Sequence, residues 1–202
     1  MKKQAILAAL LGTFLLTGCA NKPDGERNDS LEGFNRTMWK FNYNVMDRYV
    51  LEPVAKGWNN YVPKRVSSGL TSMANNLDEP VSFVNRLIEG EPKKAFVHFN
   101  RFWINTIFGL GGFVDFASAS KELRIDHQRG FGETLGSYGV DAGTYIVLPI
   151  YNATTPRQLT GAVVDTAYMY PFWEWIGGPW SLVKYGVQAV DTVLKIPFNP
   201  RN

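Results

Sequence analysis

Few residues in this chain have the types and spacing that bond-making chemistry needs. There are two histidines and one cysteine in 202 residues. His98 sits among aromatic residues, and His127 lies between Asp126 and Gln128 in a charged stretch. No HExxH, GxSxG, phosphate-binding glycine loop or CxxC occurs. Ser67-Ser68-Gly69 and Ser118-Ala119-Ser120 have no base beside them in the chain. Asp78-Glu79 is a carboxylate pair, but it stands directly before Pro80, where acids favour a helix start, so a capping role is expected for it. His98 is expected to be a satisfied polar residue, because a metal site needs several further ligands. The reading is of a protein that is not an enzyme and holds no metal.

The residue with distinctive chemistry is Cys19. Lys2 and Lys3 precede an uncharged apolar run from Ala5 to Leu16, and Leu16-Thr17-Gly18-Cys19 closes it with small residues. This is a secretory signal segment, too short to span a bilayer. The thiol has no partner in the chain for a disulfide. It stands where a bacterial lipobox places its acceptor sulfur. That resemblance implies cleavage after residue 18, a diacylglycerol on the Cys19 sulfur and an N-acyl chain, with no other cofactor. One acyl chain holds a protein only marginally, so more than one is needed for stable attachment. Position two of the mature chain is Ala20 and not the Asp that marks inner-membrane retention, which implies sorting to the inner leaflet of the outer membrane, facing the periplasm. Residues 19–29 read as an acylated, polar tether, and 30–202 as one helical domain.

The elements that must position any site are mostly helices. Removing the first 18 residues leaves 184, enough for one domain with a core, and lowers the formal charge from +3 to +1. No field that would attract nucleic acid follows from that charge. Aromatic content is high at 14%, from 13 Phe, 9 Tyr and 6 Trp; Tyr and Trp suit membrane interfaces but also ordinary cores. Asp29-Ser30-Leu31-Glu32 has the form of a capping box, and the helix it opens is expected to reach about Tyr49. Its apolar face is Leu31, Phe34, Met38, Phe41 and Val45; a second, mixed face carries Asn35, Trp39, Asn42, Tyr43 and Met46. Further helices are expected from Pro53, from Lys64 to Leu77, from Asp78-Glu79-Pro80 to Gly90, and from Pro92 to Phe108. Gly109, Gly111 and Gly112 break the chain, and Lys121–Gln128 reads as a surface loop. A short helix over Phe131–Tyr138 and an extended piece over Tyr145–Ile150 follow. A helix from Thr155-Pro156 to Tyr170, an aromatic turn over Pro171–Pro179 and a last helix to Lys195 complete an all-α reading with one irregular hairpin.

The Pro92–Phe108 segment is the most informative. At about 100° per residue, Lys94, His98, Arg101 and Asn105 fall on one narrow line, and nearly everything else is apolar. A surface helix in a soluble domain shows the reverse proportions. Either this is a central helix whose polar strip reaches solvent, or its apolar girth meets acyl chains while the strip lines a wet path. In the second case Lys94 and Arg101 could hold a headgroup phosphate.

Several long blocks resemble the MlaA (VacJ) family of outer-membrane lipoproteins. They are DSLEGFNRTMWKFNYNVMDRYVLEPVAKGW from Asp29, NNLDEPVSFVNRLIEGEP from Asn75, FNRFWINTIFGLGGFVDFA from Phe99 and FGETLGSYGVDAGTYIVLP from Phe131. The resemblance implies a ring-shaped helical domain embedded in one membrane leaflet around a polar channel. It implies a non-enzymatic role: removing mislocalised phospholipid from the outer leaflet, passing it to a periplasmic lipid carrier and so maintaining lipid asymmetry, beside a trimeric porin. It favours the membrane reading of the Pro92–Phe108 helix. The alternative is a porin-bound adaptor that conducts no lipid. By the same resemblance Asn42 and Tyr43 match a gating dipeptide, Asn-Phe in the family. Phe131–Leu148 matches a mobile loop over the channel, with Gly139 and Gly143 as its flexible glycines and Asp141 where a further glycine is expected. Family members continue past the last helix with an Arg/Gln-rich segment, whereas this chain ends in KIPFNPRN soon after Asp191.

Overall fold

A computed structural model of the chain describes residues 31–149, 152–177 and 186. The signal segment, Cys19, the tether, nearly all of the expected last helix and the carboxyl-terminal stretch lie outside them. Helix α1 (Glu32–Phe41) runs without a break into a π-helical segment (Asn42–Leu51) and on into α2 (Glu52–Tyr61). Two separate helices were expected, and one rod is found. The cause lies at Pro53, whose ring would meet the carbonyl four residues back in α-geometry. The wider π turns immediately before it relieve that crowding and let the helix continue.

Helix α3 spans Lys64–Ile88 with Pro80 inside it, which corrects the expectation of one helix ending at Leu77 and another starting at Asp78. An interior proline costs about 3 kcal/mol or more. Here side chains before and after the proline are tied to other helices, Glu79 to His98 and Arg101, and Asn85 to Asp165 and Tyr168. Gly90, at φ +75°, ends the turn after α3 as expected, and α4 (Pro92–Ile107) returns antiparallel to α3. Leu110, Gly111 and Gly112 all have positive φ, so the glycine-rich break is a tight turn. Two short 3₁₀ turns follow, at Ala117–Ala119 and Lys121–Leu123, and then α5 (Phe131–Ser137).

Strands β1 (Ile146–Leu148) and β2 (Asn152–Thr154) pair antiparallel, with Val147 opposite Ala153. They form the irregular hairpin that the sequence suggests. Helix α6 (Pro156–Gly177) then passes straight through Pro171, where an aromatic turn was expected. Met169 is buried against Leu77 and Val81 of α3, with Tyr168 and Phe172 packed on the same cluster, and the Phe172 ring lies 6.3 Å from Phe102. These anchors flank Pro171 on both sides and keep the backbone helical across it. Helices α5 and α6 touch backbone to backbone: a Cβ on Gly161 would lie 2.1 Å from the Gly132 nitrogen. The described residues are thus mostly helical, as the sequence indicates.

Candidate functional site

The interior of the domain is polar and much of its exterior is not. On α3, Asn76, Glu79, Ser82 and Asn85 recur every three residues and all are buried. On α4, His98, Arg101 and Asn105 are buried, with Ala95 completing the stripe. The two stripes face each other. Glu79, wholly excluded from solvent, accepts from Arg101 Nε at 2.7 Å and lies 2.6 Å from His98 Nδ1. Meanwhile Phe96, Trp103 and Ile107 on the same helix are 60%, 48% and 62% exposed. Phe99, midway along, is exposed too and stacks edge-on with both Phe96 and Trp103. In water such a helix would be turned over, because burying apolar area drives folding and burying charge opposes it.

The polar core is densely tied, although the buried Asn76 Oδ1 has no partner. Arg101 donates from its remaining nitrogens to Ser118 Oγ at 3.1 Å, the Leu123 carbonyl at 2.8 Å and Asp115 at 2.9 Å. Asn105 donates to Asp115 and accepts from the Ala117 amide. Burial works against the Asp115 carboxylate, but hydrogen bonds from Ser118, Arg101 and Asn105, with the Arg101 charge, hold its pKa below the usual carboxylate value. A second node joins three helices. Asn85 reaches Asp165 and Tyr168 of α6 and accepts from Thr134 of α5, while Asp165 caps the start of α5 through the Phe131 amide. Burial, and then the Asp165 carboxylate beside it, push the Tyr168 hydroxyl pKa upward. The stretch expected as a surface loop is largely exposed, and its last residue, Gln128, bonds the Asn75 carbonyl and lies 3.4 Å from Glu79.

These contacts revise several expectations. Glu79 is the hub of a buried ion-pair network and not a helix cap. The polar strip of α4 reaches solvent only at Lys94, while His98, Arg101 and Asn105 are buried, so it does not place Lys94 and Arg101 together. Lys94 is exposed and paired with Glu91 at 2.7 Å. Arg101 is 4% exposed, and contact with a headgroup would require its guanidinium to leave four partners. His98 is a satisfied buried polar group, as expected. Among the described residues no cluster of three or more His, Cys, Asp or Glu could hold a metal ion.

The gating residues suggested by the resemblance fall in two places, Asn42 and Tyr43 on the rod that begins with α1 and Gly139 and Gly143 in the turns between α5 and β1. Asn42 is buried and donates from Nδ2 to the Leu148 carbonyl at 2.8 Å, while Tyr43 beside it is exposed. Gly139 has φ +84° and closes α5: its amide bonds the Gly136 carbonyl, and Val140 N bonds Leu135 O. Gly143 has φ +78°, and its amide donates to Asp141 Oδ1 at 2.8 Å, so Asp141 builds the turn without being a glycine itself. Arg157 ties this loop to the start of α6 through the Val140 carbonyl. Sequence reasoning noticed Asn35 only as part of a mixed face; the structure shows it bound to β1. Its spacing of seven from Asn42, two full turns, was the available signal.

An all-helical domain of inverted polarity, closed by a hairpin held on side-chain amides, is the class of protein these elements define. The chain belongs to the MlaA lipoprotein family, whose model matches residues 27–198. It is 83% identical over 199 residues to the intermembrane phospholipid transport system lipoprotein MlaA of Haemophilus influenzae, covering 96% of this chain and 80% of that one. Identity to the Escherichia coli K12 protein of the same name is 43% over 193 residues, 94% of this chain and 76% of the relative. A solved structure described as "Structural basis for maintenance of bacterial outer membrane lipid asymmetry" superposes with a TM-score of 0.74. It has 43% identity and covers 83% of this chain and 84% of its own.

Proposed function

We propose that this chain is a non-enzymatic lipoprotein of the outer membrane that carries phospholipid. It takes mislocalised phospholipid from the outer leaflet, hands it to a periplasmic carrier and so maintains lipid asymmetry, next to a trimeric porin. The observation that carries the reading is the inverted polarity of α3 and α4. Aromatic and aliphatic side chains that would be unstable facing water are stable facing acyl chains. No described helix is long and apolar enough to cross a membrane. In this reading the domain lies within one leaflet, and the acyl chains on Cys19 reinforce that attachment. A ring is supported by the circuit of contacts. The rod α1–α2 meets α3 through Trp58 and Ser67, α3 packs on α4 and α5, α5 packs on α6, and the hairpin leads back to α1. The names of the relatives, transport lipoproteins, agree with the absence of a nucleophile–base motif from the sequence.

Within this reading Asn42, Tyr43, Gly139 and Gly143 belong to the gate of the lipid path, and Arg101 holds the scaffold without touching headgroups. The test is a clean deletion strain. Outer-leaflet phospholipid and detergent sensitivity should both rise, and both should return to normal on complementation. Normal asymmetry without the protein would sink the proposal. Restored asymmetry, with no crosslink to phospholipid from photoreactive residues along the hairpin, would favour an adaptor that only organises the porin.

A further inference from the structure

The outer edge of β1 is paired with a helix. Asn35 of α1 donates from Nδ2 to the Tyr145 carbonyl at 2.9 Å, and its Oδ1 accepts from the Val147 amide at 2.8 Å. A primary amide carries the same donor and acceptor as a peptide group. Residues two apart on a strand present their groups along one edge. Asn35 thus fills the place of a third strand beside β1, whose other edge is taken by β2. Asn35 is 6% exposed and Val147 2% exposed, so water does not compete for the bond between them. Asn42 adds the bond to Leu148. Seven residues of helix rise about 10 Å, and three residues of strand from Tyr145 to Leu148 span about 10 Å. The helix and the strand are therefore matched in length at two points.

We propose that Asn35 is a positioning residue of the gate: its amide fixes the register of the closed hairpin on α1, with Asn42 as a second tie. This rests on the reading that the hairpin gates a lipid path. Opening the hairpin breaks all three together and exposes a strand edge, so the hairpin moves as a unit.

The experiment is amide hydrogen exchange on the full chain in phospholipid nanodiscs, for wild type, Asn35→Leu and Asn42→Leu, beside outer-leaflet phospholipid in cells. Two hydrogen bonds of ordinary net strength correspond to exchange at Val147 roughly ten- to thirtyfold faster in Asn35→Leu. The α4 amides should keep their protection, and outer-leaflet phospholipid should rise, as it should in Asn42→Leu. Unchanged exchange at Val147 would overturn the proposal. So would faster exchange with normal lipid asymmetry, since the bonds would then hold a hairpin that gates nothing. If Asn35→Leu also strips protection from α4, Asn35→Asp decides. It keeps an acceptor for Val147 and loses the donor to Tyr145, and exchange about fivefold faster with α4 intact is expected; no change would again overturn the idea. Normal asymmetry in the deletion strain itself would fail the transport reading instead.

Discussion

Replacing Arg101 by leucine separates a buried scaffold from a headgroup site. The substitution keeps an apolar stem of similar bulk and removes four hydrogen bonds, two of them to carboxylates at 2.7 and 2.9 Å. Glu79 would be left fully buried with His98 and the longer contact to Gln128. Asp115 would keep Ser118 and Asn105 but lose its cationic partner. Breaking one side of a buried ion pair costs about 3–5 kcal/mol, mainly through the stranded charge. In a domain of this size each kcal/mol moves Tm by roughly 2–4 °C, so a fall of roughly 6–20 °C is expected. The assay is thermal unfolding in nanodiscs, followed by far-ultraviolet circular dichroism. Lys94→Glu is the companion variant, because Lys94 is exposed and paired only at the surface; its change should stay within about 0.5 kcal/mol. Arg101→Leu with wild-type Tm and lost lipid transfer would refute the reasoning, since that is the signature of a residue that binds substrate and supports nothing.

Three further outcomes follow from the same geometry. With the anchor removed by Cys19→Ala, the domain should still float with phospholipid vesicles, and adding Trp103→Lys should abolish flotation. Lysine facing hydrocarbon costs about 2.5–3.5 kcal/mol, against almost nothing at a wet surface. The depressed pKa of Asp115 contributes stability that is fully present above its ordinary value of 3.8 and disappears as pH falls through the folded value. The Tm gap between wild type and Asp115→Asn should therefore be constant near neutrality and close below about pH 4; a gap that widened in acid would contradict the sign. Gly161→Ala forces a methyl against the Gly132 backbone 2.1 Å away, and should lower stability by about 1–3 kcal/mol in the same melts.

Much of this was legible in the sequence because helix periodicity survives inversion. The line of Lys94, His98, Arg101 and Asn105 was visible, and three of its four members form the buried stripe. What periodicity does not give is which side faces in, since that depends on the solvent outside. Glu79 was hidden for a local reason: an acid before a proline looks like a helix start, and only the packing of α4 reveals that the helix continues. Pro171 misled in the same way, because anchors on α3 and α4 outweigh its backbone preference. Asn35 and Asn42 could be paired by their spacing, but their partner, the backbone of β1, lies more than a hundred residues away. No local signal points to it.

The central claim is that the domain wears its apolar side outward against acyl chains. The direct measurement is residue-resolved labelling by a phospholipid carrying a photoreactive group in its acyl chain, in vesicles or nanodiscs. Along α4 the label should recur at the helical period on Phe96, Phe99, Trp103 and Ile107 and spare His98, Arg101 and Asn105. Labelling concentrated on His98, Arg101 and Asn105, with the aromatic residues unmarked, would contradict the account.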